Sequence, residues 1–199
     1  MIYKTSYQSP IGNILLASDG KSLAGLWIEK QKYFASSVST EMVNNPDLKV
    51  FQDTKNWLER YFANKKPEIT ELPLAPAGSD FRKAVWKILC EIPYGKVTTY
   101  GEISKKIAKQ MKKSTMSAQA IGGAVGHNPI SIIIPCHRVI GANGNLTGYA
   151  GGLDLKVKLL EHEGVDLAKM FLPKSAIKDK KQPHHAHSLP VLTYQGSLS

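Results

Sequence analysis

Apolar and polar residues alternate along the first 28 residues of the chain, and this period of two predicts β-strands. The alternating segments are IYKTSYQ, NILLASD and SLAGLWI, and turn residues separate them at positions 9–12 and 19–20. We therefore predict an antiparallel meander of three strands. The spacing changes over residues 51–62, where Phe51, Leu58 and Phe62 recur at helical intervals, so we expect one helix to cover this sheet.

A linker follows this first region. The segment ELPLAPAGSD, residues 71–80, holds two prolines and one glycine, which suit an extended connection better than the interior of an element. We place a domain boundary here and predict an N-terminal domain over residues 1–78 and a second domain over residues 79–170. Residues 171–199 are rich in lysine, histidine and proline, and we expect them to form a basic, disordered tail.

The second domain begins with three helical patterns. Asp80 is a candidate N-cap for an amphipathic helix over residues 81–92, which Pro93 ends. Thr99 and Glu102 have the spacing of a capping box, so a helix is predicted over residues 100–109. A shorter helix, AQAIGGAV, follows at residues 118–125. The last two helices form either a helix-turn-helix or an ordinary packed pair.

The sequence pattern at the end of the second domain predicts a pair of strands and a helix. The apolar run at residues 130–134 and the segment LTGY flank a turn at residues 142–145, which indicates a strand pair or wing. A final helix is predicted over residues 153–163, and Gly164 ends it.

Cys136 is the first candidate for covalent chemistry. It lies between Pro135 and His137, and a thiol reacts as its thiolate, whose fraction increases beside a base or a positive charge. Adjacent side chains of an extended chain point to opposite faces, so contact between Cys136 and His137 requires a bend or a bridging water. A buried, unreactive cysteine is the alternative. Cys90 lies in an apolar helical stripe and is predicted to fill the core.

The charge of the chain favours a polyanionic partner. Lys and Arg number 26 against 16 Asp and Glu, a net charge of +10. The segment KKIAKQMKK, residues 105–113, holds five lysines and no acid, and it either contacts phosphates or forms a solvated helix face. Gly122 and Gly123 cost their helix about 1 kcal/mol each, which indicates that another backbone approaches closely, either a ligand's or a packed helix's.

Four segments in this order, VTTYGEIS, AIGGAVGHNP, IPCHRVIG and TGYAGGLDLKVKLLEHEG, resemble the O6-alkylguanine-DNA alkyltransferases, also called methylated-DNA–protein-cysteine methyltransferases. The resemblance spans residues 81–164, and the sheet and helix before it resemble the ribonuclease H-like domain of that family. It implies an α+β fold in which a small antiparallel sheet with a helix precedes a winged helix-turn-helix domain. It also implies DNA repair in which the protein itself accepts one alkyl group from O6-alkylguanine in double-stranded DNA, without a cofactor or metal.

The resemblance implies a catalytic set. Cys136 would accept the alkyl group, His137 would take the thiol proton through a water, and Glu163 would orient the imidazole. Tyr100 would help to rotate the nucleotide out of the stack, and Asn128 would tie the helix-turn-helix to the active-site segment. Implied substrate-binding residues are Val139, Tyr149, Ala150, Gly151 and Arg138.

The resemblance also implies that the shorter helix enters the minor groove, where small residues permit close approach. Implied DNA-binding residues are Gln119, Ala118, Ala120, Gly122, Gly123, Lys105, Lys112 and Lys113. The sequence departs from the family at Gln119, which takes the place of an arginine that fills the gap left by the flipped base. The connection before this helix is also several residues longer than usual.

Two other functions stay open at this point: recognition of alkylated guanine without transfer, and regulation by a winged helix whose thiol is incidental. No segment reaches the ~18 apolar residues of a membrane span, so we expect a cytoplasmic protein without a membrane partner. We also expect the protein to be a monomer. Cooperative binding along DNA and activity on O4-alkylthymine are left open. The only dense histidines, at 184, 185 and 187, lie in the tail without a cysteine pair, so no metal site is predicted.

Overall fold

The computed structural model describes residues 1–38 and 40–172 of the chain. A sheet and one helix come first, and four further helices and a short strand pair follow. The elements are β1 (Ile2–Ser9), β2 (Gly12–Ser18), β3 (Leu23–Ile28), β4 (Met42–Asn44), α1 (Lys49–Phe62), α2 (Asp80–Cys90), β5 (Thr98–Thr99), α3 (Tyr100–Gln110), α4 (Ala118–Gly126), β6 (Val139–Ile140) and α5 (Leu153–His162), with short 3-10 turns at Ile69–Glu71, Cys136–Arg138 and Ala142–Gly144.

The N-terminal sheet has the strand order β3-β2-β1-β4. Strands β1, β2 and β3 form the predicted antiparallel meander, and Ser9 pairs with Gly12 across the first turn. The sequence analysis did not predict β4, which pairs in parallel with β1 and makes the sheet mixed. Its three residues are too few for an alternating pattern to indicate a strand.

Helix α1 packs against β2 and β3, as predicted, although it begins two residues earlier than expected. Phe51 and Leu58 of this helix are fully buried together with Leu26 of β3. The same apolar cluster continues into α2, α3 and α4. The hydrophobic core is therefore continuous across the predicted boundary at residues 78–79, and the boundary itself stays a prediction.

The edge of β3 pairs with the segment that leads to Cys136. The amide of Leu26 donates to the carbonyl of Pro129 at 2.8 Å, and the amide of Ser131 donates to the carbonyl of Leu26 at 2.9 Å. The hydroxyl of Ser131 also donates to Oε1 of the buried Gln31 at 3.1 Å. The N-terminal sheet thus holds the backbone ahead of the candidate nucleophile.

Side-chain caps set the starts of the helices in the second half. Ser79, not Asp80, caps α2, because Ser79 has the extended backbone that an N-cap requires and Asp80 is already helical. The predicted capping box of Thr99 and Glu102 is present at α3, and Ser117 caps α4.

Residues 130–134 do not form a strand, so this prediction is wrong. They fold into consecutive buried turns, in which Ile132 has a φ of 69° and the amide of Ile134 donates to the carbonyl of Ile130 at 3.0 Å. An apolar run requires only burial, which turns inside a core provide as well as a strand does. The segment LTGY forms no strand either, and β6 instead pairs in parallel with β5.

Phe171 and Leu172, which we assigned to a disordered tail, belong to the fold. The carbonyl of Phe171 accepts from the amide of Leu146 at 2.9 Å, and its own amide donates to the carbonyl of Gly144 at 3.1 Å. Leu172 packs against a small apolar cluster that includes Leu160. The rest of the predicted tail, residues 173–199, lies outside the described residues.

Candidate active site

Cys136 begins the 3-10 turn Cys136–Arg138, which follows Pro135. Its Sγ accepts a hydrogen bond from the side-chain amide of Asn128 at 3.1 Å, and the residue is only 4 % exposed. Burial raises the pKa of the thiol, and the Asn128 hydrogen bond and the charge of Lys156 offset this only in part. The thiol is therefore protonated in the free protein, and any reaction as a nucleophile requires a route for its proton.

Asn128 ties the end of α4 to the Cys136 segment. Besides the thiol contact, its amide nitrogen donates to the carbonyls of Ile134 at 2.7 Å and Ile130 at 3.3 Å, and its Oδ1 accepts from the amide of Ile130 at 3.0 Å. This buried side chain is hydrogen-bonded at both ends, as buried amides require. The arrangement is the one that the resemblance implies for this residue.

His137 is fully buried, and its Nε2 lies 2.7 Å from Oε1 of Glu163. Its Nδ1 has no hydrogen-bond partner among the described residues, and none of the hydrogen bonds there joins the imidazole to Cys136. Burial lowers the pKa of His137 more than Glu163 raises it, so the imidazole is neutral near pH 7. A carboxylate at Nε2 places the proton on that nitrogen, which leaves Nδ1 as the acceptor.

Two oxygens of Glu163 accept five hydrogen bonds. Oε1 accepts from His137, from Nη2 of Arg138 and from the phenol of Tyr61, and Oε2 accepts from Nε of Arg138 and the amide of Gly95, all at 2.7–3.1 Å. Burial raises the pKa of this carboxyl, but His137 and Arg138 lower it more, and the net pKa lies well below 4.5. Glu163 is therefore ionised at neutral pH and held in one orientation.

Arg138 does not lie where a substrate-binding residue would. Its guanidinium is buried against Glu163, donates to the carbonyl of Ile92 at 2.6 Å and lies over the ring of Tyr94. The reason is geometric: the 3-10 turn aims His137 and Arg138 at the same carboxylate. We therefore correct its assignment from substrate binding to the support of Glu163.

Lys156 of α5, which the sequence analysis did not identify, is a cation whose charge lowers the pKa of the thiol. Its ammonium is buried and donates to the carbonyls of Val139 and Thr147. Burial lowers the pKa of Lys156 to about 8, and the negative charge of Cys136, once ionised, partly offsets this. The carbonyl of Val139, implied to bind the substrate, has one further lone pair for a ligand.

A cavity of about 230 Å³ is lined by two tyrosines that interact electrostatically with Cys136, although Cys136 itself is not among its lining residues. Burial raises the pKa of Tyr100 to about 12 and that of Tyr149 well above 10, and the negative charge of an ionised Cys136 acts in the same direction on both phenols. The cavity is lined by Lys32, Tyr33, Tyr100, Gly122, Gly126, Gly148, Tyr149 and Ala150. The structure thus brings the implied residues Tyr100, Tyr149 and Ala150 together at one cavity.

Glycines and backbone contacts shape one wall of this cavity. Gly148 has a φ of 64°, and a Cβ there would lie 3.0 Å from the hydroxyl of Tyr100, which donates to the Gly148 carbonyl at 3.1 Å. Gly151 is not among the lining residues. A Cβ at Gly151 would lie 2.8 Å from the Tyr149 ring, so this glycine permits the packing of Tyr149.

Helix α4 presents small side chains to solvent. A Cβ at Gly122 or Gly123 would meet no atom within 4 Å, so packing inside the protein does not require glycine at either position. This removes the packed-helix explanation and favours the approach of a ligand. The exposed residues at the start of this helix are Ala118, Gln119 and Ala120, and Lys105, Lys112 and Lys113 are exposed on the segment before it.

Within residues 1–38 and 40–172, no group of three or more histidine, cysteine or acidic residues could hold a metal ion. His184, His185 and His187 lie outside that range. Over the same part of the chain, none of the helices has the length and apolar character needed to cross a bilayer.

Sequence models of two domain families match the chain. One, the ribonuclease-like domain of 6-O-methylguanine DNA methyltransferase, matches residues 2–76, and the other, the DNA binding domain of the same protein, matches residues 80–165. The chain belongs to the 6-O-methylguanine DNA methyltransferase family. The family resemblance and the α+β fold class expected from the sequence are therefore confirmed.

Relatives and solved structures agree with this membership. A methylated-DNA–protein-cysteine methyltransferase of Methanosarcina mazei is 47% identical over 162 residues, which are 81% of this chain and 97% of the relative. One of Haemophilus influenzae is 41% identical over 82% of this chain and 87% of its own length. The crystal structure of Mycobacterium tuberculosis OGT in complex with DNA has a TM-score of 0.70 and 41% identity, and covers 81% of this chain and 92% of that one.

The sequence analysis did not name several residues of this site. Tyr61 and Lys156 occupy helical positions that a sequence pattern assigns to core and to solvent, and Lys32 and Tyr33 lie in a polar loop far from Cys136 in sequence. Gly95 gave a usable signal, since it follows Pro93 in a turn. Its φ is 70°, and its amide binds Glu163.

Proposed function

We propose that this chain repairs double-stranded DNA by transferring the alkyl group of O6-alkylguanine to Sγ of Cys136, once per protein molecule. Sγ attacks the alkyl carbon, a carbon–sulfur bond forms, and the carbon–oxygen bond breaks with its electron pair leaving on O6. The thiol releases one proton and the leaving guanine takes one up. The observation that carries this proposal is that Tyr100 and Tyr149, which line the cavity, interact electrostatically with Cys136, whose neighbour His137 is held by Glu163.

The thiol proton needs an acceptor, because burial keeps Cys136 protonated in the free protein. Neutral His137 can take this proton on Nδ1, which has no partner among the described residues, and a bridging water would span the separation from the sulfur. Glu163 stabilises the imidazolium that forms. This is the division of roles between nucleophile, base and orienting carboxylate that activates weak nucleophiles in enzymes.

The damaged base lies inside a stack, so we propose that the nucleotide rotates into the cavity beside Tyr100 and Tyr149. Helix α4 would lie in the minor groove, where Gly122 and Gly123 let the backbone approach, with Gln119 next to the vacated position. The exposed lysines before α4 would contact phosphates. We further propose that the protein acts as a monomer in the cytoplasm, where a reducing environment keeps an unpaired thiol reactive.

Intact-mass measurement tests the proposal directly. After incubation with a duplex that carries one O6-methylguanine, the protein should gain the mass of one methyl group and no more, and peptide mapping should place it on Cys136. Selective binding of the damaged duplex without a gain in mass would indicate recognition without transfer. Equal affinity for damaged and undamaged duplex without a mass gain would indicate a DNA-binding regulator.

We predict that Gln119→Arg accelerates repair or tightens binding of the damaged duplex. An arginine beside the vacated stack would add a cation and a planar stacking surface, a gain of roughly 1 kcal/mol or about 5-fold. Single-turnover rates and duplex affinities measure the effect. Gln52→Arg, which adds the same charge on the exposed face of α1, is the control and should change neither quantity. A slower reaction in Gln119→Arg would contradict our placement of residue 119.

A further inference from the structure

We propose that Tyr61 of the N-terminal domain is a positioning residue for alkyl transfer, because its phenol fixes the carboxylate that orients His137. The inference rests on the proposed function and deepens it. It assigns a task in the reaction to a domain that carries none of the residues implied above.

The decisive contact is made at one oxygen. The hydroxyl of Tyr61 donates to Oε1 of Glu163 at 2.8 Å, and the same Oε1 lies 2.7 Å from Nε2 of His137. Any movement of Oε1 therefore moves the acceptor that selects the imidazole tautomer. Because catalysis requires a base held within a narrow geometry, the group that fixes Oε1 contributes to the rate without touching the substrate.

Tyr61 has no freedom to turn away from this contact. The residue is fully buried, its ring stacks on Trp57 at 5.5 Å between centroids, and Phe62 and Tyr94 pack against it edge-on at 5.2 and 5.9 Å. The ring of His162 lies against it from α5. A phenol held on four sides is a fixed donor.

The phenol also stays protonated wherever the reaction is measured. Burial and the charge of Glu163 raise the pKa of Tyr61 well above 10, so it donates over the whole neutral and mildly alkaline range. The other donors to Glu163 are His137, Arg138 and the amide of Gly95, all from the second half of the chain. Tyr61 alone, among the described residues, connects α1 to this carboxylate.

The test compares Tyr61→Phe with Tyr94→Phe. Both variants remove one hydroxyl from the same aromatic cluster, but the Tyr94 hydroxyl binds Asn64 and the carbonyl of His162 and does not reach Glu163. We expect Tyr61→Phe to slow single-turnover methyl transfer by about 10-fold at pH 7, as loss of an orienting partner typically does, without weakening duplex binding. Tyr94→Phe should transfer at close to the wild-type rate.

The pH profile separates positioning from simple destabilisation. The titratable and charged groups around Glu163 are His137, Arg138, Tyr61, Tyr94 and Tyr149, with His162 behind the Tyr61 ring. Without the Tyr61 hydroxyl, Glu163 orients the imidazole less well, and His137 becomes a poorer acceptor for the thiol proton. The loss of transfer rate in Tyr61→Phe should therefore shrink as rising pH ionises the thiol directly. The ¹⁵N shifts of the His137 imidazole should change in Tyr61→Phe and not in Tyr94→Phe. A donor restored by 4-aminophenylalanine in place of Tyr61 should recover most of the rate.

The outcomes are distinct. If the wild-type protein gains no methyl group, the proposed function fails before Tyr61 is at issue. If wild type transfers and Tyr61→Phe matches Tyr94→Phe at every pH, Tyr61 does not position Glu163. A deficit that is equal at all pH values, with an unchanged His137 spectrum, would mean that the phenol serves only stability and would overturn the inference. Should Tyr61→Phe fold poorly, the 4-aminophenylalanine protein decides, since it keeps both ring and donor.

Discussion

Replacing Cys136 with alanine is expected to abolish methyl transfer completely, while damaged duplex still binds. No other described thiol can substitute. Cys90 is half-buried in α2, and burial raises its pKa to about 11, partly offset by the charge of Arg138, so it is a poor nucleophile. Removing Sγ also removes one acceptor of Asn128, which keeps its bonds to the carbonyls of Ile134 and Ile130, so the local fold should persist.

Intact mass after incubation with the damaged duplex measures this first prediction, and Cys90→Ala is the matched control. Cys90→Ala should gain one methyl group at the wild-type rate. A methyl group found on Cys136→Ala, or lost in Cys90→Ala, would assign the acceptor elsewhere. Iodoacetamide labelling adds a second readout. Cys136 should react slowly in the free protein, because it is buried and protonated. We therefore expect the thiol to become reactive only when the damaged duplex is bound.

Glu163→Gln is expected to have the second largest effect, with transfer slowed on the order of 100-fold at pH 7. The amide keeps the shape of the side chain but not its charge. It can present its NH₂ to His137, which would reverse the tautomer and leave the wrong nitrogen facing the sulfur. The variant also leaves Arg138 buried without a counter-charge, so the free energy of unfolding should fall by about 3 kcal/mol.

The pH dependence of the free energy of unfolding separates the loss of stability in Glu163→Gln from the loss of transfer rate. The folded-state pKa of Glu163 is depressed below 4.5, so in the wild type its stabilisation is present above about pH 4.5 and is lost as the pH falls through the folded value. The glutamine variant should lack this acid-side loss. Glu71→Gln is the control, since it removes the same charge from an exposed surface pair with Arg60. An unchanged transfer rate in a folded Glu163→Gln protein would remove Glu163 from the relay.

The local elements followed from the sequence because their determinants are local. The period of two in β1, β2 and β3, the helical spacing in α1 and the capping box at Thr99 act between residues within one turn or one hairpin. The two wrong predictions have different causes. The run at residues 130–134 is apolar because it is buried, and burial alone does not distinguish a strand from turns. Phe171 was assigned to the tail because its backbone partners, Gly144 and Leu146, lie in and just after a turn far away in the chain, and the sequence does not reveal that pairing.

The sequence by itself determined the family and pointed to Cys136 and its neighbour His137 as candidates for the reaction, because this tetrapeptide and its flanking segments are contiguous in the chain. Only the tertiary structure decided which charges surround them. Arg138 is adjacent to His137 in sequence yet pairs with Glu163, and Lys156 and Tyr61 reach the site from helices whose sequence patterns give no sign of it. The physical reason is that hydrogen bonds and charges act over a few ångströms in space, and only the folded backbone brings those groups within that distance.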